Sequence, residues 1–573
     1  MPGRPRERAG GHGTGSIPVA ASNRPFKKGR GRRGQTRNGS ISERGNYFPA
    51  GEFMSHFLKY GLVVLSAGCL FLLSAGCNDA SGTAETLDRP PRIDPDYAGI
   101  IIPPNIAPLN FRIREPADRA VLEIAFESGG PIVVKARDGV FRIPIRPWKR
   151  LLEENRGGTL TLTVRIRKDG RWQAYRPIVN RIAEDPVDSY LAYRLINPAY
   201  SLWTVMGLYQ RNLETFDERP ILVNRLTDDN CMNCHHFRDG DPDVMLMHLR
   251  GGAGSGTLIR RNDQIFKVNT ATDFNRAGAY PTWHPDGNLI AFSVNQLTMF
   301  FHARGESRDV LDSASDLVIY DIERNLITTN PGIADPDRME TFPCWAPDGR
   351  TLYFCAADRL DQYVADRDGR EDLYWENIRY DLMRIAYDPV TQTWGAPETV
   401  ISAEQIGGSI TLPRVSPDGT WLMFTRSDYS NFPVYLKSAD LYLLHLPTLK
   451  YRRLECNSDQ VDSYHSWSRN SRWFVFSSKR QDGLLARPYL SALSPDGRVS
   501  KPVLMPQKDP AFYESFLQTY NVPELVSGPV RVDPRTWART AMGENIVQAG
   551  LDPDVKPGRP TADSPDLYQK ASR

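Results

Sequence analysis

The chain has 573 residues with 71 Lys and Arg against 68 Asp and Glu, so its net charge is only +3. That length allows two or three domains with real cores, and a charge near zero gives no field that would attract nucleic acid. The small excess is also unevenly placed: residues 1–50 carry eleven Lys and Arg against two Glu, and the rest of the chain is slightly acidic.

Residues 1–53, rich in Gly, Ser and Arg, read as a disordered basic leader and an over-long gene start, with Met54 as the true start. Residues 54–77 then read as a signal peptide: a weakly basic start (Ser55 to Lys59) and an apolar run from Gly61 to Leu73. The run is shorter than the roughly 20 residues that span a bilayer. It ends in Leu73-Ser74-Ala75-Gly76-Cys77, which resembles a bacterial lipobox. The resemblance implies cleavage before Cys77, lipidation of its thiol, and an envelope protein held on a membrane. Asn78 after it favours the outer membrane. Residues 78–95 are polar and small and read as a flexible tether.

Residues 96–185 alternate apolar and polar positions in short runs, as in Thr159 to Ile166. This predicts a β-sandwich resembling an immunoglobulin or fibronectin module. Residues 186–227 are expected to be a partly helical connector, residues 228–525 a propeller, and residues 526–573 a tail.

The propeller rests on a repeat. Tyr280-Pro281-Thr282-Trp283-His284-Pro285-Asp286-Gly287 is followed by an alternating strand, and so is Phe342-Pro343-Cys344-Trp345-Ala346-Pro347-Asp348-Gly349. Leu412 to Gly419 is a third copy, and Tyr464 to Ser471 a fourth with Asn470-Ser471 in place of Asp-Gly. A second hairpin follows each of the first three (Asp316 to Asp321, Tyr380 to Ile385, Asp440 to Leu444). Four strands per repeated unit make a propeller blade. These repeats resemble those of TolB-like periplasmic propellers. The fold class is therefore mainly β: a sandwich followed by a TolB-like β-propeller of five to six blades.

Cys231-Met232-Asn233-Cys234-His235 has the spacing of a c-type haem attachment site. Two thiols at this spacing add to the vinyl groups of haem, and the next imidazole ligates the iron. A zinc site would need further ligands beside Cys231, Cys234, His235 and His236. A thioredoxin-type Cys-x-x-Cys wants a strand before it and a helix after it. Cofactor binding is thus assigned to Cys231, Cys234 and His235, the last as proximal ligand of one covalent haem c. The segment 228–270 follows the order of a blade, so the motif is placed in the propeller's first blade. In that alignment Met245 and Met247 fall at the positions of Ile290 and Phe292, and His248 at that of Ser293, Cys355, Thr425 and Ser477. His248 is the expected distal ligand, with His284, His302, His465 and an open site as alternatives.

Other signals are weaker. Gly251 to Gly256 reads as a hairpin loop, because neither a Lys nor a helix follows. No Gly-x-Ser-x-Gly elbow is present. Cys344, Cys355 and Cys456 are either one disulfide and a spare or three core thiols. The chain resembles envelope proteins that join TolB-like repeats to a cytochrome c motif. The resemblance implies a periplasmic or envelope-anchored electron carrier that docks a protein redox partner and binds no nucleic acid. The alternatives are a scaffold that binds envelope protein or glycan, with haem in a structural or sensing role, and a haem enzyme with an open distal site.

Overall fold

The computed structural model describes residues 84–198, 205–301, 308–359, 364–367, 370–373 and 375–555. Cys77 and His302, the leader, the signal and residues 78–83 of the tether lie outside these residues. The rest of the expected tether is not a flexible linker, because Glu85–Leu87 and Ile93–Asp94 pair into the sheets that follow.

Residues 85–182 form two sheets. Seven strands make one of them, centred on Thr159–Lys168, which pairs with Arg119–Phe126, Arg171–Tyr175 and Ile178–Ile182. Three short strands, Ile93–Asp94, Phe111–Ile113 and Val140–Phe141, make the other. Burial along Thr159–Lys168 alternates with its sequence. Its inward residues share one core with Phe111 and Phe141 of the small sheet. A short helix, Ile145–Glu154, was not expected. Trp148, Leu151 and Leu152 fall on one face at helical spacing and are buried there.

Six sheets of four or five strands follow, with a two-stranded hairpin, Val364–Arg367 and Arg370–Leu373, beside them. Their innermost strands are Thr519–Val526, Cys231–Phe237, Ala279–Trp283, Arg338–Trp345, Ser409–Val415 and Asp462–Trp467. Each innermost strand lies beside the next in this order, and the sixth lies beside the first, so the sheets close a ring. This is a six-bladed propeller. The first blade is built from both ends of the ring: Tyr190–Ile196, Met206–Asn212 and Glu218–Val223 supply three strands, and Thr519–Val526 supplies the innermost.

That closure corrects the reading of residues 186–227. The segment is three strands of a blade, not a partly helical connector. Tyr190–Ile196 is buried on both faces, so the alternation that marks a one-sided strand is lost. It also makes the blade with the Cys-x-x-Cys-His motif the second in order. The C-terminal segment is likewise more than a tail. A helix, Pro534–Met542, buries Trp537. Val547–Gln548 and Gly550–Leu551 then add fifth strands to the second and third blades.

The repeat signature has two structural causes. Gly287, Gly349 and Gly419 end their Pro-Asp-Gly turns at φ of 66–76°, a region that favours glycine. Ser471 takes the same place in the sixth blade at φ 58°. One turn earlier, each of five innermost strands has a bulge: Tyr280, Phe342, Leu412, Tyr464 and Val522 stand at φ of 45–54°, and the pairing register shifts there. Four of them precede a proline. Cys344, Cys355 and Cys456 are free and buried, which settles them as core thiols.

Candidate functional site

The second blade begins with Cys231–Phe237, its innermost strand. The motif is therefore extended backbone on the propeller axis. His235 pairs with Met247, and a register shift separates it from the Met232–Leu249 pair. The same cross-strand position in the other blades is held by Thr282, Cys344, Arg414, Ser466 and Glu524. His235 is thus one of six residues that occupy one level of the ring. Cys234 stands one residue before it, where Pro281, Pro343, Pro413 and Pro523 stand in other blades.

Cys234 and His235 line a small cavity on the axis, together with the bulge residues and two guanidinium groups, Arg194 and Arg414. Water-sized molecules have about 40 Å³ there in which to place their centres. The Cys234 thiol is buried and accepts a hydrogen bond from the Tyr280 amide at 3.2 Å. Burial pushes its pKa up. Cys231 is partly exposed. Arg194 donates to the Met232 carbonyl at 3.2 Å.

His235 is 3% exposed. Burial, and then the positive charges of Arg194 and Arg414, pull its pKa down to about 3, so the ring is neutral. The Val522 backbone makes a hydrogen bond with it, while Nε2 has no hydrogen-bond partner. Glu524 Oε1 lies 3.4 Å from Nε2. Burial raises the Glu524 carboxyl to about 8, against the pull of Arg414 and of the Phe237 amide, which donates to Oε2 at 3.1 Å. A neutral imidazole beside an uncharged carboxyl is the state expected near neutral pH.

The donor types are those of a covalently held haem: two free thiols three residues apart, then an imidazole with one nitrogen anchored and Nε2 free of hydrogen bonds. Only Cys234 and His235 line the cavity, however, and Cys231 packs against the core between the first two blades. The space beside His235 is smaller than a porphyrin, so a haem held there has to displace channel-lining side chains such as Phe432 and Tyr464. Among the described residues no group of three or more His, Cys, Asp or Glu is placed to hold a metal ion by itself.

The expected distal role of His248 is corrected by the register. Met247, not His248, faces His235 across the strands, so the two imidazoles leave opposite faces of the sheet. His248 occupies the position of Phe292, Phe354, Phe424 and Phe476, one residue from its expected alignment. The bulge in the first strand shifts the register, and a linear alignment cannot show that. His248 is buried between blades, and its Nδ1 meets Thr257 Oγ1 at 3.0 Å. Met245 and Met247 pack in a core cluster with Trp537. His284 uses both ring nitrogens, with the Gly349 carbonyl at 2.8 Å and the Asp286 amide at 3.2 Å. His465 Nε2 meets the Met423 carbonyl at 3.0 Å. His236 faces the funnel on the side of the Pro-Asp-Gly turns.

Arg194, Arg414 and Glu524 were missed from sequence. Two of them carried a signal: Leu412-Pro413-Arg414 and Val522-Pro523-Glu524 repeat the apolar-Pro-x pattern of Tyr280-Pro281-Thr282.

No family model matches the chain, and no curated protein matches it. Solved structures similar to it include Kuenenia stuttgartiensis hydrazine synthase, at 10% identity and TM-score 0.28 over 46% of this chain and 64% of that one. A putative 6-phosphogluconolactonase from Bacteroides uniformis aligns at 11% identity and TM-score 0.29, over 73% of this chain and 99% of that one. A nidogen/laminin complex aligns at 8% identity and TM-score 0.32, over 59% and 100%. The chain spans a little under two thirds of the first of these. At such scores the likenesses carry no argument about function, and the propeller stands on its strand pairing.

Proposed function

We propose that this protein is an envelope haem protein: one haem c held by Cys231, Cys234 and His235 on the axis of a TolB-like propeller, serving one-electron transfer with a docked protein partner. The observation that carries the reading is the position of the motif. Its strand brings Cys234 and His235 to one axial cavity, and His235 keeps a neutral, unbonded Nε2 there. Haem would supply a one-electron couple tuned by its axial ligands. In this reading Cys231 and Cys234 form the thioethers, and His235 Nε2 ligates the iron. The Val522 backbone holds the imidazole, as a partner of a ligand's other nitrogen does in many metal sites. The bulge residues Tyr280, Phe342, Leu412, Tyr464 and Val522 narrow the cavity around it. The proposal extends to the lipid anchor at Cys77 and to the kinship of the two N-terminal sheets with immunoglobulin-type sandwiches.

The test is the full chain produced with cytochrome c maturation factors. The expected result is haem that survives denaturation on a gel and gives a reduced-minus-oxidised c-type spectrum. Cys231→Ser and Cys234→Ser should each lose one thioether and shift that spectrum, and the double variant should lose covalent haem. A wild-type chain matured in this way without covalent haem overturns the reading.

A further inference from the structure

Far from the axis, a groove of about 600 Å³ runs between the third and fourth blades. Its volume is in the range of ligand sites, roughly 300–1,000 Å³. Leu289, Ile319 and Tyr387 are buried at its floor. Trp394 stands half-buried on one wall, its ring 4.6 Å from that of Tyr387. Short polar side chains make up much of the rest, among them Thr328, Asn330, Gln392 and Asp554.

This combination selects a ligand chemistry. A purely apolar ligand would strip water from the amide, hydroxyl and carboxyl groups of the walls without replacing it, at a cost for each group. An anionic ligand would meet Asp321, Asp552 and Asp554, and the one guanidinium among the described residues lining the groove, Arg324, is already paired with Asp552 at 2.9 Å. A neutral sugar meets both demands. The C–H face of a pyranose packs on an indole, and its hydroxyls both donate and accept, so they serve the carboxylate, the amides and the hydroxyls alike. The hairpin turn Thr391–Trp394 carries the indole. Gln392 holds φ 55° there, and Thr391 and Thr393 join hydroxyls at 2.8 Å, which fixes the wall.

We infer that the groove between the third and fourth blades binds a neutral oligosaccharide, with a sugar ring stacked on Trp394. The site is separate from the Cys-x-x-Cys-His strand and does not rest on the haem reading.

The test is calorimetric titration of the full chain, with and without haem, using chitohexaose, cellohexaose and maltohexaose. Saturable binding of at least one is expected, equal in both forms. Trp394→Ala should weaken it at least tenfold. Because that change also loosens the stack with Tyr387, Asp554→Asn provides a second probe at an exposed position, with a severalfold loss expected. Weakening by either variant supports the site. No binding of any of the three at millimolar concentration overturns it, and so does binding that both variants leave unchanged.

Discussion

Position 248 holds a histidine where four other blades hold phenylalanine. The neighbouring strand adapts to it, since Thr257 places a hydroxyl 3.0 Å from Nδ1, but Nε2 is left buried without a partner. Burial, with a smaller push from Arg250, lowers the ring's pKa to about 3. The unfolded chain takes up this proton near pH 6.5 and the native state does not, so stability present above pH 6.5 is lost progressively as pH falls toward 3. In His248→Phe this loss disappears. At pH 7.5 the variant should melt within a few degrees of wild type, because removing an unpartnered nitrogen offsets the lost Thr257 bond, each worth about 1 kcal/mol. At pH 5 it should melt higher than wild type. Equal acid sensitivity of the two proteins counts against the buried, neutral imidazole, and a changed haem spectrum counts against its place off the axis.

At the scale of elements, one guanidinium anchors the approach to the closing strand. Arg487 is fully buried in the sixth blade and donates to the carbonyls of Gln518 at 2.7 Å, Phe516 at 2.6 Å and Tyr513 at 3.2 Å. These three carbonyls belong to the segment that leads into Thr519–Val526. Arg487→Met keeps much of the volume and leaves all three without that donor. We expect a loss on the order of 3 kcal/mol, with hydrogen exchange accelerated across 519–526 more than across the other innermost strands. Uniform acceleration around the ring would show that Arg487 does no more than pack. The same strand carries Val522 and Glu524 to His235, so loosening it should also perturb the axial cavity.

For the molecule as a whole, the long hairpin of the third blade ties blades together. Asp312 lies on it, buried, and accepts from Asn295 at 2.8 Å, from Tyr380 of the fourth blade at 3.4 Å and from Asn431 of the fifth. Burial outweighs these donors and raises its pKa to about 7. The sign is opposite to that of His248. The native state holds this proton more tightly than the unfolded chain, so the contribution is full below about pH 4 and is lost as pH rises through 7. Asp312→Asn should therefore melt higher than wild type at pH 9 and gain much less at pH 5. A gain of the same size at both values would mean that the carboxyl is already ionised.

Much of this architecture was legible in residue order. Pro-Asp-Gly turns and the strands after them mark the third, fourth and fifth blades, because a tight turn needs a residue at positive φ and a strand with one buried face alternates. The spacing of Cys231, Cys234 and His235 named the candidate donors. Tertiary structure decided the rest. The first blade joins residues more than 300 positions apart, and a strand buried on both faces carries no period to announce it. The bulge before each innermost turn moves the cross-strand register, and with it the face to which His248 belongs. The company of His235 was also beyond the sequence: Arg194, Arg414, Val522 and Glu524 come from three separate stretches of chain and meet only because the ring closes.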